Sequence, residues 1–156
     1  MAGAYSFARL LAADLPLMNR WLARPHVAEW WPDGEGEVAE VVAACHDEEA
    51  ETVPYLVQLQ GRPFAYLQCT RESADVRSID QFIGEAELLG QGHGSAFIRQ
   101  FCDGLFQAQR ASTVTTDPDP GNARAVRAYE KAGFRRIGPR DTQWGHILLM
   151  QRDDAP

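Results

Sequence analysis

The sequence predicts an α/β protein built on one mixed sheet with helices on both sides. Three observations predict it. Short alternating or β-branched runs recur along the chain, bounded by Gly, Pro and Asp. Helical apolar faces separate some of these runs while others follow directly, giving an order of roughly βααβββαβαββ. One stretch organises the rest: an alternating run at 77–84, a loop with Gly90, Gly92 and Gly94, and a helix at 95–107. That helix carries Phe97, Phe101 and Leu105 on one face, with Ile98 and Cys102 beside them.

Residues 5–10 form an apolar-leaning opening strand. Asp14 is placed to cap the next helix, with Pro16 in its first turn and Leu17, Met18, Trp21 and Leu22 on one side. The Arg24-Pro25 step ends it. Next come His26-Val27-Ala28-Glu29-Trp30-Trp31-Pro32 and a loop through Asp33, Gly34 and Gly36. Adjacent tryptophans either close the core or wall a binding site, and one ring in each role fits as well. Residues 38–50 read as a second helix with Val38, Val41, Val42 and Cys45 inward. Strands at 55–59 and 63–69 are joined by Gln60-Gly61-Arg62, a hairpin signal. A polar connection at 71–75 leads into the central strand. Thr113 to Thr116 is a β-branched strand, and Asp117-Pro118-Asp119-Pro120-Gly121 a turn. Asn122 caps a helix carrying Ala125, Ala128, Tyr129 and Ala132, ended by Gly133. Strands at 134–137 and 144–150 close the chain around a turn at Gly138-Pro139.

The 156 residues are long enough for one domain spanning 1–156 with a full core. Cys45, Cys69 and Cys102 are odd in number and lack paired spacing, which speaks against a disulfide framework or zinc site. His26, His46, His93 and His146 form no metal spacing either. No signal-like segment or membrane-length apolar run is present, so a cytoplasmic protein with no membrane partner is expected. A net charge of −7 argues against nucleic acid. Nine acids lie between Glu29 and Glu51 with no Lys or Arg among them, either a solvated face or a rim attracting a cation.

Glycines opening a helix allow tight backbone, and the first helical turn presents N–H groups and a positive dipole end to an anion. An ordinary glycine-rich turn has the same appearance. No Lys-Ser/Thr pair follows, so this is no Walker loop. The preceding strand does not open a chain-leading βαβ unit, which counts against a dinucleotide fold.

A second motif decides. Residues 122–134 contain N-x-x-A-x-x-x-Y-x-K-x-G-F, one strand after the G-x-G helix opening. The combination resembles the GNAT superfamily of acetyl-CoA-dependent N-acetyltransferases. Glu29-Trp30-Trp31, residues 77–83, Thr116-Asp117-Pro118 and residues 127–134 resemble its aminoglycoside 6′-N-acetyltransferases. The resemblance implies a mixed, mostly antiparallel twisted sheet flanked by helices. It implies acetyl-CoA as co-substrate, contacted by Phe82, Ile83, Gln91, Gly92, His93, Gly94, Ser95, Asn122 and Tyr129. It places Trp30, Trp31, Asp80 and Asp117 at a small-molecule amine. Monomer and homodimer both remain open. Two departures are visible. Leu89 stands where the family usually carries Arg or Gln before the glycines. Only residues 71–76 fill the place of a longer insertion containing acids and tryptophan, so a more open acceptor site is expected.

Acetyl transfer to an amine needs a neutral nucleophile, a polarised thioester and a protonated leaving thiolate. Asp80 is the candidate to orient the ammonium and help remove its proton; as a strand-end Asp it would otherwise form a surface ion pair. Asp117 serves either the amine or the turn. Tyr129 is either a core tyrosine or the acid for the thiolate, since a phenol near pKa ~10 is poised against a thiol near ~8.5. The thioester oxygen meets a backbone N–H of the central strand. Other acceptors stay open, above all a hydroxylated lysine of siderophore synthesis, although Ile79-Asp80 stands where those enzymes carry histidine. A non-catalytic acetyl-CoA sensor is a further alternative.

Overall fold

Strand and helix boundaries follow the side chains closely. The structure, a computed structural model, describes residues 4–154. In chain order it has β1 (Tyr5–Arg9), α1 (Leu15–Leu22), α2 (Pro25–Ala28), α3 (Gly34–Ala44), β2 (Thr52–Leu59), β3 (Arg62–Arg71) and β4 (Val76–Ile83). It continues with α4 (His93–Gln107), β5 (Thr113–Thr116), α5 (Ala123–Lys131), β6 (Arg135–Thr142) and β7 (Gly145–Asp153). The seven strands lie in the order β1-β2-β3-β4-β5-β7-β6. β4 and β5 are parallel, whereas β1–β2, β2–β3, β5–β7 and β6–β7 are antiparallel.

The chain forms two compact units. The first comprises the residues up to Thr70 and Gln81–Gln91. Its core is Leu10, Met18, Trp21, Leu22, Val27, Val38, Leu56, Tyr66 and Phe82. The β2–β3 hairpin turns on Gln60 (φ 52°) and Gly61 (φ 79°), the two positive-φ positions of a type I′ turn, whose twist suits the flanking strands. The second unit comprises Arg71–Asp80 and the chain from Gly92 onward. Ile79, Phe97, Ile98, Cys102, Val114, Val126, Tyr129, Phe134 and Met150 are buried there. All three cysteines are free and buried. Among the described residues, no helix is long and apolar enough to cross a membrane, and no cluster of His, Cys, Asp and Glu converges as for a metal.

Four sequence expectations need correction. The expected helix at 38–50 runs from Gly34 to Ala44 instead. Gly34, expected in a loop, packs so closely on α1 that a Cβ there would lie 2.4 Å from Leu22 Cδ2. Cys45 then leaves the helix and turns inward (φ −92°, ψ 93°). Two early helices become three, because Pro25 opens the separate turn α2. Asp14 does not cap α1 through its side chain; its Oδ2 accepts from Leu11 N at 2.9 Å and closes the 3₁₀ turn Ala12–Asp14. The last hairpin does not turn at Gly138-Pro139. β6 passes through both, and the turn falls at Gln143 and Trp144. β6 is the edge strand, where proline forfeits no necessary ladder bond, and its register shifts between Arg136 and Gly138.

Candidate active site

In the second unit, β4 and β5 pair only from Val76↔Thr113 to Ser78↔Thr115. One residue further, Thr116 Oγ1 donates to the Ile79 carbonyl at 2.9 Å, a buried bond replacing the next rung of the ladder. The following residue on each strand is an aspartate. Asp80, still within β4, and Asp117, just past the end of β5, thus follow the last joined positions of the two parallel strands, and both are exposed.

Asp117 has a raised pKa. Burial is the larger cause and the negative charge of Glu72 the second, opposed by a hydrogen bond to its own backbone. The residue's surface is open, so the desolvation comes from atoms crowding the carboxyl rather than from enclosure. Glu72 is held by Ser78 Oγ, which donates to its Oε1 at 2.6 Å. Glu72 was not among the sequence candidates; it sits in the short connection before β4 and carries no motif. The turn after β5 is fastened by Asp119, whose Oδ1 accepts from Gly121 N at 2.8 Å.

α4 begins at Gly92, whose φ of 84° lies in the left-handed region. Nothing stands within 4 Å of a Cβ built there, so backbone conformation rather than space requires glycine. The first helical bond runs from Ala96 N to Gly92 O at 3.2 Å. The first turn, from His93 to Ser95, lies at the positive end of a 15-residue dipole. Ser95 Oγ donates to Gly92 O at 3.1 Å. This cradle suits a pyrophosphate. Leu89 adds no charge to it.

Asn122 caps α5, its Oδ1 accepting from Ala125 N at 3.3 Å, so the structure gives its side chain a structural task. Tyr129 is 2% exposed, its ring 5.4 Å from that of Phe134 at 64°. It is anchored as a core residue would be, and its hydroxyl is carried by a rigid helix.

In the first unit the tryptophans divide. Trp30 is exposed, whereas Trp31 packs edge-on against Phe82 (5.3 Å) and Tyr66 (6.0 Å). Phe82 turns its ring into this cluster, so what it can offer a ligand is backbone. Gln91 is exposed and its Nε2 donates to Glu87 O. All nine acids from Glu29 to Glu51 are exposed.

Strands parallel only at the centre, a left-handed glycine opening the following helix and a capped Asn-to-Tyr helix define a class of acyl-CoA-binding transferase. The family described as acetyltransferase (GNAT) domain matches residues 10–142. The aminoglycoside N(6′)-acetyltransferase type 1 of Klebsiella pneumoniae is 35% identical over 156 residues, covering 88% of this chain and 77% of that protein. The solved structure of AAC(6′)-Ib with ribostamycin and coenzyme A has a TM-score of 0.82 at 31% identity, covering 96% of this chain and 93% of that one. Its complex with coenzyme A and kanamycin has a TM-score of 0.81 at 32% identity, covering 96% and 94%. The chain belongs to the GNAT acetyltransferase family. It is an acetyltransferase, with acetyl-CoA as its co-substrate.

Proposed function

We propose that residues 1–156 form one catalytic domain that acetylates a primary amine of a polycationic small molecule, the 6′-amine of an aminoglycoside. The observation that carries this reading is that an exposed aspartate follows each partner of the Thr116–Ile79 bond, Asp80 on β4 and Asp117 after β5, with the negative charge of Glu72 acting on Asp117. A polyamine in water is mostly ammonium at neutral pH. Carboxylates at these positions attract and orient it. The likeness to the Klebsiella enzyme supports the aminoglycoside as the particular polyamine.

In this reading the N–H groups of His93, Gly94 and Ser95 hold the pyrophosphate, and the backbone of Phe82 and Ile83 lines the acyl arm. Asp80 orients the ammonium and takes one of its protons, and the neutral nitrogen then attacks the thioester carbonyl. Tyr129 donates its hydroxyl proton to the sulfur as the C–S bond breaks. Asp117 and Glu72 hold the remaining ammonium groups. Holding both substrates together supplies much of the acceleration.

The test is acetyl-CoA-dependent thiol release with kanamycin, ribostamycin, spermidine and N⁶-hydroxylysine. Turnover restricted to the aminoglycosides supports the proposal; turnover on hydroxylysine alone refutes it. Asp80→Asn is expected to reduce kcat by roughly 10²–10⁴, the contribution typical of a positioned base, with little change in acetyl-CoA affinity. Tyr129→Phe is expected to slow transfer while leaving binding intact. A variant that turns over at full speed removes its residue from the mechanism.

A further inference from the structure

We infer that the corner between α1 and α2 is a positioning clamp for the cofactor-bearing end of β4, with His26 as its decisive member. Three side chains from one short run converge on three consecutive residues. His26 Nε2 lies 2.9 Å from the Ile83 carbonyl oxygen. A carbonyl only accepts, so Nε2 carries the proton. Arg24 Nη1 donates to the Gly84 carbonyl at 2.8 Å and to the Glu85 carboxylate at 3.0 and 3.3 Å. Trp21 Nε1 donates to the same carboxylate at 3.3 Å. From the other side, Gly84 N donates to Phe64 O of β3 at 2.8 Å. The Trp21 ring meanwhile occupies the space where a Cβ on residue 84 would stand.

Strand geometry turns this clamp toward the reaction. Successive residues of a strand direct their N–H and C=O groups to opposite edges, while one residue directs both to the same edge. Gly84 faces β3 with its N–H, so Ile83 directs its N–H and C=O away from β3. His26 fixes the peptide plane between Ile83 and Gly84, and so restrains the residue whose N–H lies on the proposed cofactor edge. The Glu85 carboxylate locks the corner from which His26 projects, because Arg24 and Trp21 both bind it. Mere attachment of α1 to the sheet would not need the peptide planes of residues 83 and 84 fixed at both carbonyls. The inference rests on the reading that acetyl-CoA lies along β4.

The experiment uses the full chain and the variants His26→Ala and His26→Gln. It measures CoA affinity by calorimetry, KM for acetyl-CoA and for kanamycin, and the melting temperature. Removing one net hydrogen bond predicts a rise in the acetyl-CoA KM and CoA Kd of roughly three- to tenfold in His26→Ala. The kanamycin KM is expected to stay within about twofold, since that ligand does not use the clamp. His26→Gln keeps an N–H donor and is expected to recover most of the affinity. Unaltered CoA affinity in His26→Ala overturns the inference, as does an equal rise in both KM values with a lowered melting temperature. A natural chain that binds no CoA overturns the underlying reading and the clamp with it.

Discussion

Replacing Gly84 with alanine is expected to destabilise the protein, although the substitution looks benign on paper. Gly84 is not among the glycines with positive φ, so alanine meets no backbone penalty there. At such a position Gly→Ala ordinarily stabilises by about 0.4–1 kcal/mol, because the unfolded chain loses freedom. Here the new Cβ would stand 2.1, 2.3 and 2.6 Å from Trp21 Cδ2, Cγ and Cε2, more than an ångström inside ordinary contact. Trp21 cannot yield easily. It is fully buried, its Nε1 is bonded to Glu85, and its ring meets Phe82 edge-on at 6.3 Å. Overpacking of this kind costs about 1–3 kcal/mol, which exceeds the entropic gain. A chain of this size loses about 2–4 °C per kcal/mol, so a fall of about 3–5 °C is expected for ~1.3 kcal/mol net. Gly104→Ala is the control, since it lies in α4 with nothing within 4 Å of a Cβ. There a helix-interior alanine is expected to raise stability by roughly 0.5–1 kcal/mol. Scanning calorimetry of both variants decides. A Gly84→Ala protein melting at or above the natural one would refute the steric argument.

Two further predictions concern the strand exits. Thr116→Val keeps shape but strips the buried Ile79 carbonyl of its donor, a loss of about 1–3 kcal/mol; thermal melts are expected to show it, with a fall in kcat as Asp80 and Asp117 separate. For Asp117 the folded pKa is raised, so the stability its protonated form contributes is present below the unfolded pKa and lost as pH rises through the folded one. At neutral pH Asp117→Asn is thus expected to be at least as stable as the natural chain, while binding the polyamine more weakly. The natural enzyme's acceptor KM is expected to climb on acidification before an ordinary aspartate would titrate, and the asparagine variant to lack that limb. Pre-steady and steady-state kinetics across pH, beside a melting curve, check both.

Much of this was legible because local and tertiary signals agree. The β-branched run from Thr113 to Thr116 is the observed β5, and Asn122 caps α5 as its chemistry suggests. Gly92 takes the left-handed conformation that its place before a helix implies. Where the reading failed, a residue was chosen for a neighbour distant in sequence. Gly34 looks like a loop residue until Leu22 is seen against it. Gly138-Pro139 reads as a turn, yet an edge strand with a shifted register accommodates both. Trp144, expected in a strand, lies in the turn itself and is 84% exposed. Glu72 was invisible because its importance comes from lying near Asp117, across the chain from it.

The concealment of the sulfur atoms has a practical use at the bench. Colorimetric disulfide reagents react with accessible thiolates, and Cys45, Cys69 and Cys102 are all shielded from solvent. The folded enzyme therefore contributes little colour of its own, and liberated CoA can be followed continuously in the same cuvette. A slow secondary rise in colour would then report unfolding, letting one trace record both turnover and the lifetime of the catalyst.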